Sequence, residues 1–272
     1  MKKNIIIAAL LSLFVGYSNA KTHYANVDEY PVKQGSLEEM VYSAEKTDFS
    51  VWSPSADSVY LNIYADAQSA EPIERLLMTP QADGSWTASV KGDWNGNFYT
   101  FQVVDAASRW KLHETPGIFA KAVGVNGRRA AIIDMATTNP IGWSKDVRPA
   151  FAGAKDAIVY EMHHRDMTIH ATSGVHNKGK FVGWIEHGAK TAEGLATGID
   201  HLVELGVTHV QILPSYDYGS VDETRLVDNK YNWGYDPVNY NAPDGGYSTN
   251  PYDPATRIRE MKMMIQALHK AG

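Results

Sequence analysis

The chain has 272 residues, enough for one large or two modest domains, and its 44 % apolar and 21 % charged content is that of an ordinary globular protein. A formal net charge of -6 with no run of basic residues argues against a nucleic-acid surface. Cysteine is absent, which excludes a disulfide framework, a thiol nucleophile, a thiolate-held metal and a lipid-anchored N-terminal cysteine.

Residues 1–20 read as a cleaved secretory signal. Lys2 and Lys3 form a positive start, 5–15 an apolar stretch, and Ser18-Asn19-Ala20 a small-x-small cleavage site. The apolar stretch is too short for an ordinary membrane span. The expectation is export to the periplasm or the exterior, with a mature chain that starts at Lys21 and has no membrane anchor. Residues 21–45 form a lead-in of no clear pattern.

From 46 to 135 the pattern is that of short alternating strands. Segments 48–52 (DFSVW), 59–64 (VYLNIY), 86–90 (WTASV), 98–104 (FYTFQVV) and 130–133 each fit a half-buried strand. Turn signals separate them at Ser53-Pro54, Asp83-Gly84, Trp94-Asn95-Gly96-Asn97 and Asn126-Gly127. Strands at such spacing predict an all-β, immunoglobulin-like sandwich. Trp86, Trp94 and Trp110 could line a sugar platform, but aromatics in a small sandwich more often fill its core.

Residues 136–155 are polar, contain Pro and Gly, and show no period, so they read as a protease-sensitive linker. The pattern then changes. Segment 157–162 (AIVYEM) is a short apolar strand; 191–205 predicts a helix with Leu195, Ile199, Leu202 and Leu205 on one face and Gly206 as its C-terminal cap; 207–213 (VTHVQIL) is a second buried strand. A second helix should start with Asp253 as N-cap and Pro254 at its first position, with Ile258, Met261, Ile265 and Leu268 on one side. Strand, helix, strand, helix predicts a parallel sheet. Two such units cannot cover both faces of one, and a (β/α)8 barrel takes about 250 residues. Residues 156–272 are therefore expected to be a truncated (β/α) barrel.

Between the second strand and the second helix lies 229–254 (NKYNWGYDPVNYNAPDGGYSTNPYDP). It holds five tyrosines, one tryptophan, three glycines and four prolines, with no period, so a long ordered loop is expected. Flat aromatic faces among amides and carboxylates suit sugars: rings stack on C–H surfaces while Asn and Asp bond hydroxyls. The alternative is a tyrosine-rich loop packed on itself. His163, His164, His170 and His176 fit no zinc spacing, and neighbours on a strand point to opposite faces, so a metal site is not expected. Glu161 and Asp217 lie in or just after strands, where packing and ion-pair roles outweigh acid catalysis.

Several segments resemble one family. Val51-Trp52-Ser53-Pro54-Ser55-Ala56 with Val59-Tyr60-Leu61, and Gly84-Ser85-Trp86 later, resemble the β-sandwich module that precedes the barrel of starch- and glycogen-debranching and branching enzymes. Thr115-Pro116-Gly117-Ile118-Phe119-Ala120 departs from it, since relatives often read Asp-Pro-Tyr-Ala there. Val159-Tyr160-Glu161-Met162-His163-His164-Arg165-Asp166 and Thr208-His209-Val210-Gln211-Ile212-Leu213-Pro214 resemble the first two barrel strands of type I pullulanases. Tyr231-Asn232-Trp233-Gly234-Tyr235-Asp236-Pro237 resembles the motif that sets those enzymes apart from other α-amylase relatives.

The resemblance implies a parent enzyme that cleaves α-1,6-glucosidic linkages in pullulan, starch or glycogen by a retaining two-carboxylate mechanism. The family's nucleophilic Asp, acid/base Glu and third Asp follow the fourth, fifth and seventh barrel strands, so no residue of this chain takes a catalytic role. The resemblance makes Tyr235 the ring that stacks on the glucose before the scissile bond and Asp236 a neighbouring polar contact, with Trp233 and Asn232 as supporting substrate-binding candidates. The expected partner is an α-glucan polysaccharide or oligosaccharide. No cofactor is identified; calcium is left open for the parent protein. Two other readings are a non-catalytic α-glucan-binding protein from a truncated gene and a branching or isoamylase-type enzyme.

Overall fold

A computed structural model describes residues 23–105 and 114–272. The expected signal segment and Trp110 lie outside them.

The first half forms two antiparallel sheets. One orders β1 (Met40–Tyr42), β2 (Lys46–Trp52), β6 (Ser85–Lys91) and β5 (Thr79–Pro80); the other orders β4 (Glu74–Leu77), β3 (Ser58–Tyr64), β7 (Phe98–Val104) and β8 (Glu114–Thr115), with β9 (Ala130–Ala131) also on β7. The alternation of the sequence decides which faces meet. Thr47, Phe49 and Val51 of β2 point inward, opposite Val59, Leu61 and Ile63 of β3, and Trp86, Tyr99 and Phe101 complete one apolar core. Trp86 is thus a core residue, its indole donating to the Ser53 carbonyl at 3.0 Å, while Trp94 packs half-buried on the core's flank.

Four short strands, β1, β4, β5 and β8, escaped the sequence pattern. β1 lies in the expected lead-in and pairs with β2, so the sandwich begins earlier than residue 46. β4 and β5 are edge strands with mostly exposed side chains, and Pro80 is tolerated only at such an edge.

In the second half β10 (Val159–Met162) and β11 (His209–Ile212) pair in parallel, joined by a connection that includes α1 (Gly198–Leu205). Helix α1 is shorter than expected. Residues 191–197 instead make a turn in which the Thr191 N–H donates to Leu195 O and Gly194 sits at φ +86°, a conformation foreign to a right-handed helix. Leu195 is therefore exposed instead of facing the core. Gly206 caps α1 at φ +71°, as its position suggests. Helix α2 (Pro254–Ala271) starts as predicted, the Asp253 carboxylate accepting the Ala255 N–H at 3.0 Å. Met162, Phe181, Trp184, Leu202, Tyr218, Tyr247 and Met264 form the core of this half. The described residues include this single parallel pair and no closed barrel.

The expected linker is not an open tether. Arg259 donates to Thr137 O, Lys262 to Thr138 Oγ1 and Asn139 Oδ1, and His269 pairs with Asp146 at 2.6 Å, so 137–146 is clasped along α2.

Candidate functional site: an aromatic ribbon above a buried ion-pair joint

The segment 229–254 is not a loop throughout. Pro237–Pro243 forms β13, which pairs antiparallel with β12 (Tyr216–Tyr218) through two register shifts. Prolines at both ends and three polar residues hid this strand. Asn239 and Ala242 face inward, while Val238 and Tyr240 face solvent.

Residues 231–236 are held by internal hydrogen bonds. The Asn232 carboxamide donates to Ser220 Oγ and, at 2.7 Å, to Asp236 Oδ1, and its own oxygen accepts the Gly234 N–H at 2.6 Å. Ser220 donates to the other Asp236 oxygen. These Ser220 and Asn232 bonds outweigh the upward push of burial and hold the Asp236 carboxyl below its usual range. His163, just past β10, donates from Nε2 to Asn232 O at 2.8 Å, while its Nδ1 accepts the Asp166 N–H at 3.3 Å. Gly234 at φ +89° lies so close to Pro214 that a β-carbon would come within 2.7 Å of the Pro214 oxygen.

The outcome is a firmly tied turn that turns its rings outward. Tyr231, Trp233 and Tyr235 are 50 %, 58 % and 64 % exposed. Of the four residues singled out from the sequence, the structure brings all together but divides their work. Tyr235 and Trp233 present apolar faces, whereas Asn232 and Asp236 are engaged in shaping the turn. His163 and Ser220 complete that shaping; neither was a binding candidate from the sequence, although His163 lies in the stretch that resembles the first barrel strand.

Beneath the ribbon lies a buried charge cluster. Asp217, Glu223 and Asp244 bring carboxylate oxygens within 4.8 Å of one another. The Arg257 guanidinium reaches Glu223 Oε2 at 2.5 Å and Asp217 Oδ1 at 3.5 Å, and donates to Pro251 O at 2.6 Å. The β module enters the same cluster. The Asn126 N–H donates to Glu223 Oε2 at 2.6 Å, Asn126 Oδ1 accepts the Glu223 N–H at 2.8 Å, and Asn239 donates both to Gly127 O and to Asp217 Oδ2. Gly127 sits at φ +64°, and a β-carbon there would collide with the Asp217 carboxylate. The carboxylates are thus occupied by a guanidinium and amides, and the cluster acts as the joint between the two halves. Asp217 is part of that joint and not an exposed acid; Glu161 is exposed and accepts from Gln211 at 2.8 Å.

Burial, with the Glu223 charge adding to it, pushes the Asp217 carboxyl up to about 6, and burial raises Asp244 well above its usual range. A carboxyl whose folded pKa exceeds its unfolded value binds more protons when folded. Its contribution to stability is then greatest below about pH 4, falls as pH rises to about 6, and is flat beyond. The expected result is that Asp217→Asn removes a fall of up to about 3 kcal/mol across that window, read as the difference between wild-type and variant urea-unfolding curves from pH 4 to 7.

His163 and His164 are buried on β10's continuation, His170 and His176 are exposed, and among the described residues no three of them gather.

Comparison with known proteins places these features in a family context. Residues 37–116 match carbohydrate-binding module 48, the isoamylase N-terminal domain. A pullulanase of Bacillus subtilis (strain 168) is 39 % identical over 232 residues, which is 85 % of this chain and 31 % of the relative. Pullulanase 1, chloroplastic, of Arabidopsis thaliana is 27 % identical over 85 % of this chain and 27 % of its own length. Among solved structures, a Paenibacillus barengoltzii pullulanase in complex with maltohexaose and α-cyclodextrin superposes with a TM-score of 0.86 at 46 % identity, over 90 % of this chain and 38 % of that one. The chain thus spans about a third of the length of the proteins it resembles.

Proposed function

We propose that this chain, homologous to pullulanases over most of its length, supplies the glucan-binding β module and one wall of the substrate cleft of a debranching glycoside hydrolase. The parent reaction on this reading is hydrolysis of α-1,6-glucosidic linkages in pullulan, starch or glycogen with retention of configuration. The observation that supports it is the turn at 231–236, where the motif residues converge and Tyr235 and Trp233 stand exposed on a hydrogen-bonded frame. An exposed ring on a rigid frame offers a flat apolar face to a sugar at little entropic cost.

On the same reading β10, α1, β11 and α2 are the first two βα units of a (β/α)8 barrel, and the turn follows its second strand, at the C-terminal side where such sites form. The signal-like first twenty residues support export. The buried acids of this chain are engaged in the joint and none is proposed as nucleophile or acid/base. The 272-residue chain alone is expected to bind pullulan and to leave it uncut. Retarded migration in a pullulan-containing native gel, with no release of reducing ends, is the expected result. Release of reducing ends by the pure chain would overturn the assignment of the acids.

A further inference from the structure

The ribbon has a second aromatic pair that lies outside the motif. Tyr216 opens β12 and Tyr240 lies on the outer face of β13, with ring centroids 5.3 Å apart and planes inclined by 50°. Tyr240 is 69 % exposed, on the solvent face of a strand that buries Asn239 and Ala242. A large ring kept on the solvent side of a well-anchored strand forfeits the burial that a core position would give it. Tyr235 and Tyr240 are 64 % and 69 % exposed and Tyr216 is half-buried, so the phenols can meet an external donor or acceptor.

The pair is also contiguous with the turn. Gly234, next to Tyr235, packs on Pro214, two residues before Tyr216. The Tyr216 phenol is raised by burial first and then by the Tyr240, Tyr235 and Asp236 groups, which places all four in one electrostatic neighbourhood. The ribbon cannot easily swing away, because Asn239 beside Tyr240 is bonded to Gly127 and Asp217, and Asn241 on its other side donates to Ile118 O at 3.0 Å.

From this contiguity we propose that Tyr216 and Tyr240 form a further glucose-binding subsite, so that a linear α-glucan chain gripped at Tyr235 continues across the ribbon onto this pair. The proposal rests on the reading of Tyr235 as a glucose-stacking wall and adds a length requirement to it. Two tilted rings match a chain whose successive glucose units turn relative to one another, with C–H faces on the rings and hydroxyls meeting the phenols. An apolar peptide is the less favoured occupant, since the three phenol hydroxyls would be left to desolvate.

The test is titration calorimetry of the full chain with maltotriose and maltohexaose, for the wild type and for Tyr240→Ala, Tyr216→Ala and Tyr235→Ala. Maltohexaose is expected to bind the wild type more tightly than maltotriose, and Tyr240→Ala or Tyr216→Ala to remove roughly three- to tenfold of that gain while leaving maltotriose affinity unchanged. Tyr235→Ala should weaken both sugars. If the length-dependent gain survives both Tyr240→Ala and Tyr216→Ala, the subsite is wrong and the Tyr235 wall stands. If neither sugar binds the wild type, both are wrong. Tyr240 is largely solvent-exposed, so its truncation should leave the unfolding midpoint in place, which separates lost binding from lost fold.

Discussion

Replacing Arg257 with methionine is expected to destabilise the second half of the chain by about 3–5 kcal/mol and to release the β module from it. Arg257 is almost fully buried, and the methionine fills similar space, so packing is nearly preserved. What is lost is the guanidinium that pairs with Asp217 and Glu223 inside the buried cluster. An uncompensated carboxylate in such a place must either take up a proton or draw in water, and both loosen the joint. Glu223 is the residue most affected, since its oxygens also receive the Asn126 and Gly245 N–H groups. The change should appear in thermal unfolding as two separated transitions, with the sandwich retaining the later one. Arg257→Lys keeps the charge but not the fork that spans Glu223 and Pro251 O, and should fall between the two. Adding Glu223→Gln to Arg257→Met should recover part of the loss, because the orphaned charge is then gone. A single unshifted transition in Arg257→Met would show that the joint contributes nothing to stability.

The second large effect is expected at Trp184, where alanine should cost about 3–5 kcal/mol. The indole is buried in the core of the second half, donates to His164 O at 3.1 Å, and lies against the His164 ring with centroids 5.0 Å apart and planes 11° apart. Truncation opens a cavity beside an imidazole that burial, with His163 second, pushes down to about 3. The neutral form is favoured in the fold, so this group's contribution to stability is full above about pH 6.5 and declines as pH falls towards 3. Water admitted by Trp184→Ala should let the His164 pKa rise towards its ordinary value, a change that NMR titration of the imidazole reads directly. Stability lost with no movement of that titration would mean that the core collapses around the histidine instead of hydrating it.

Both effects lie in places that sequence reasoning reached only in part. Period-2 alternation located β2, β3, β6 and β7; burial follows it residue by residue in β2, whereas β3 and β7 bury consecutive residues on both faces. It failed for β13, where Pro237 and Pro243 bracket a strand whose inward residues, Asn239 and Ala242, are chosen for bonds and close approach and not for apolar bulk. Helical spacing failed at residues 191–197, since Leu195 continued it while Gly194 broke the backbone needed to realise it. The substrate-wall candidates were legible as a motif, but their division of labour was not. That Asn232 and Asp236 bond each other while Tyr235 faces out depends on Ser220, 12 residues before Asn232, and on His163, 69 residues before it. The buried joint was legible only in fragments, an ion-pair role for Asp217 and a turn at Asn126-Gly127; Glu223, Asp244 and Arg257 acquire meaning only when that turn is set against the ribbon.

The central proposal is that Tyr235 is a glucan-stacking ring held out by a hydrogen-bonded turn. Its most direct test is the binding constant of the purified chain for maltotriose, compared with that of Tyr235→Ala at matched folded fraction. The account predicts that wild-type binding is measurable and that the variant loses roughly tenfold or more of it while its unfolding midpoint stays in place. Equal affinity of the two proteins would contradict it.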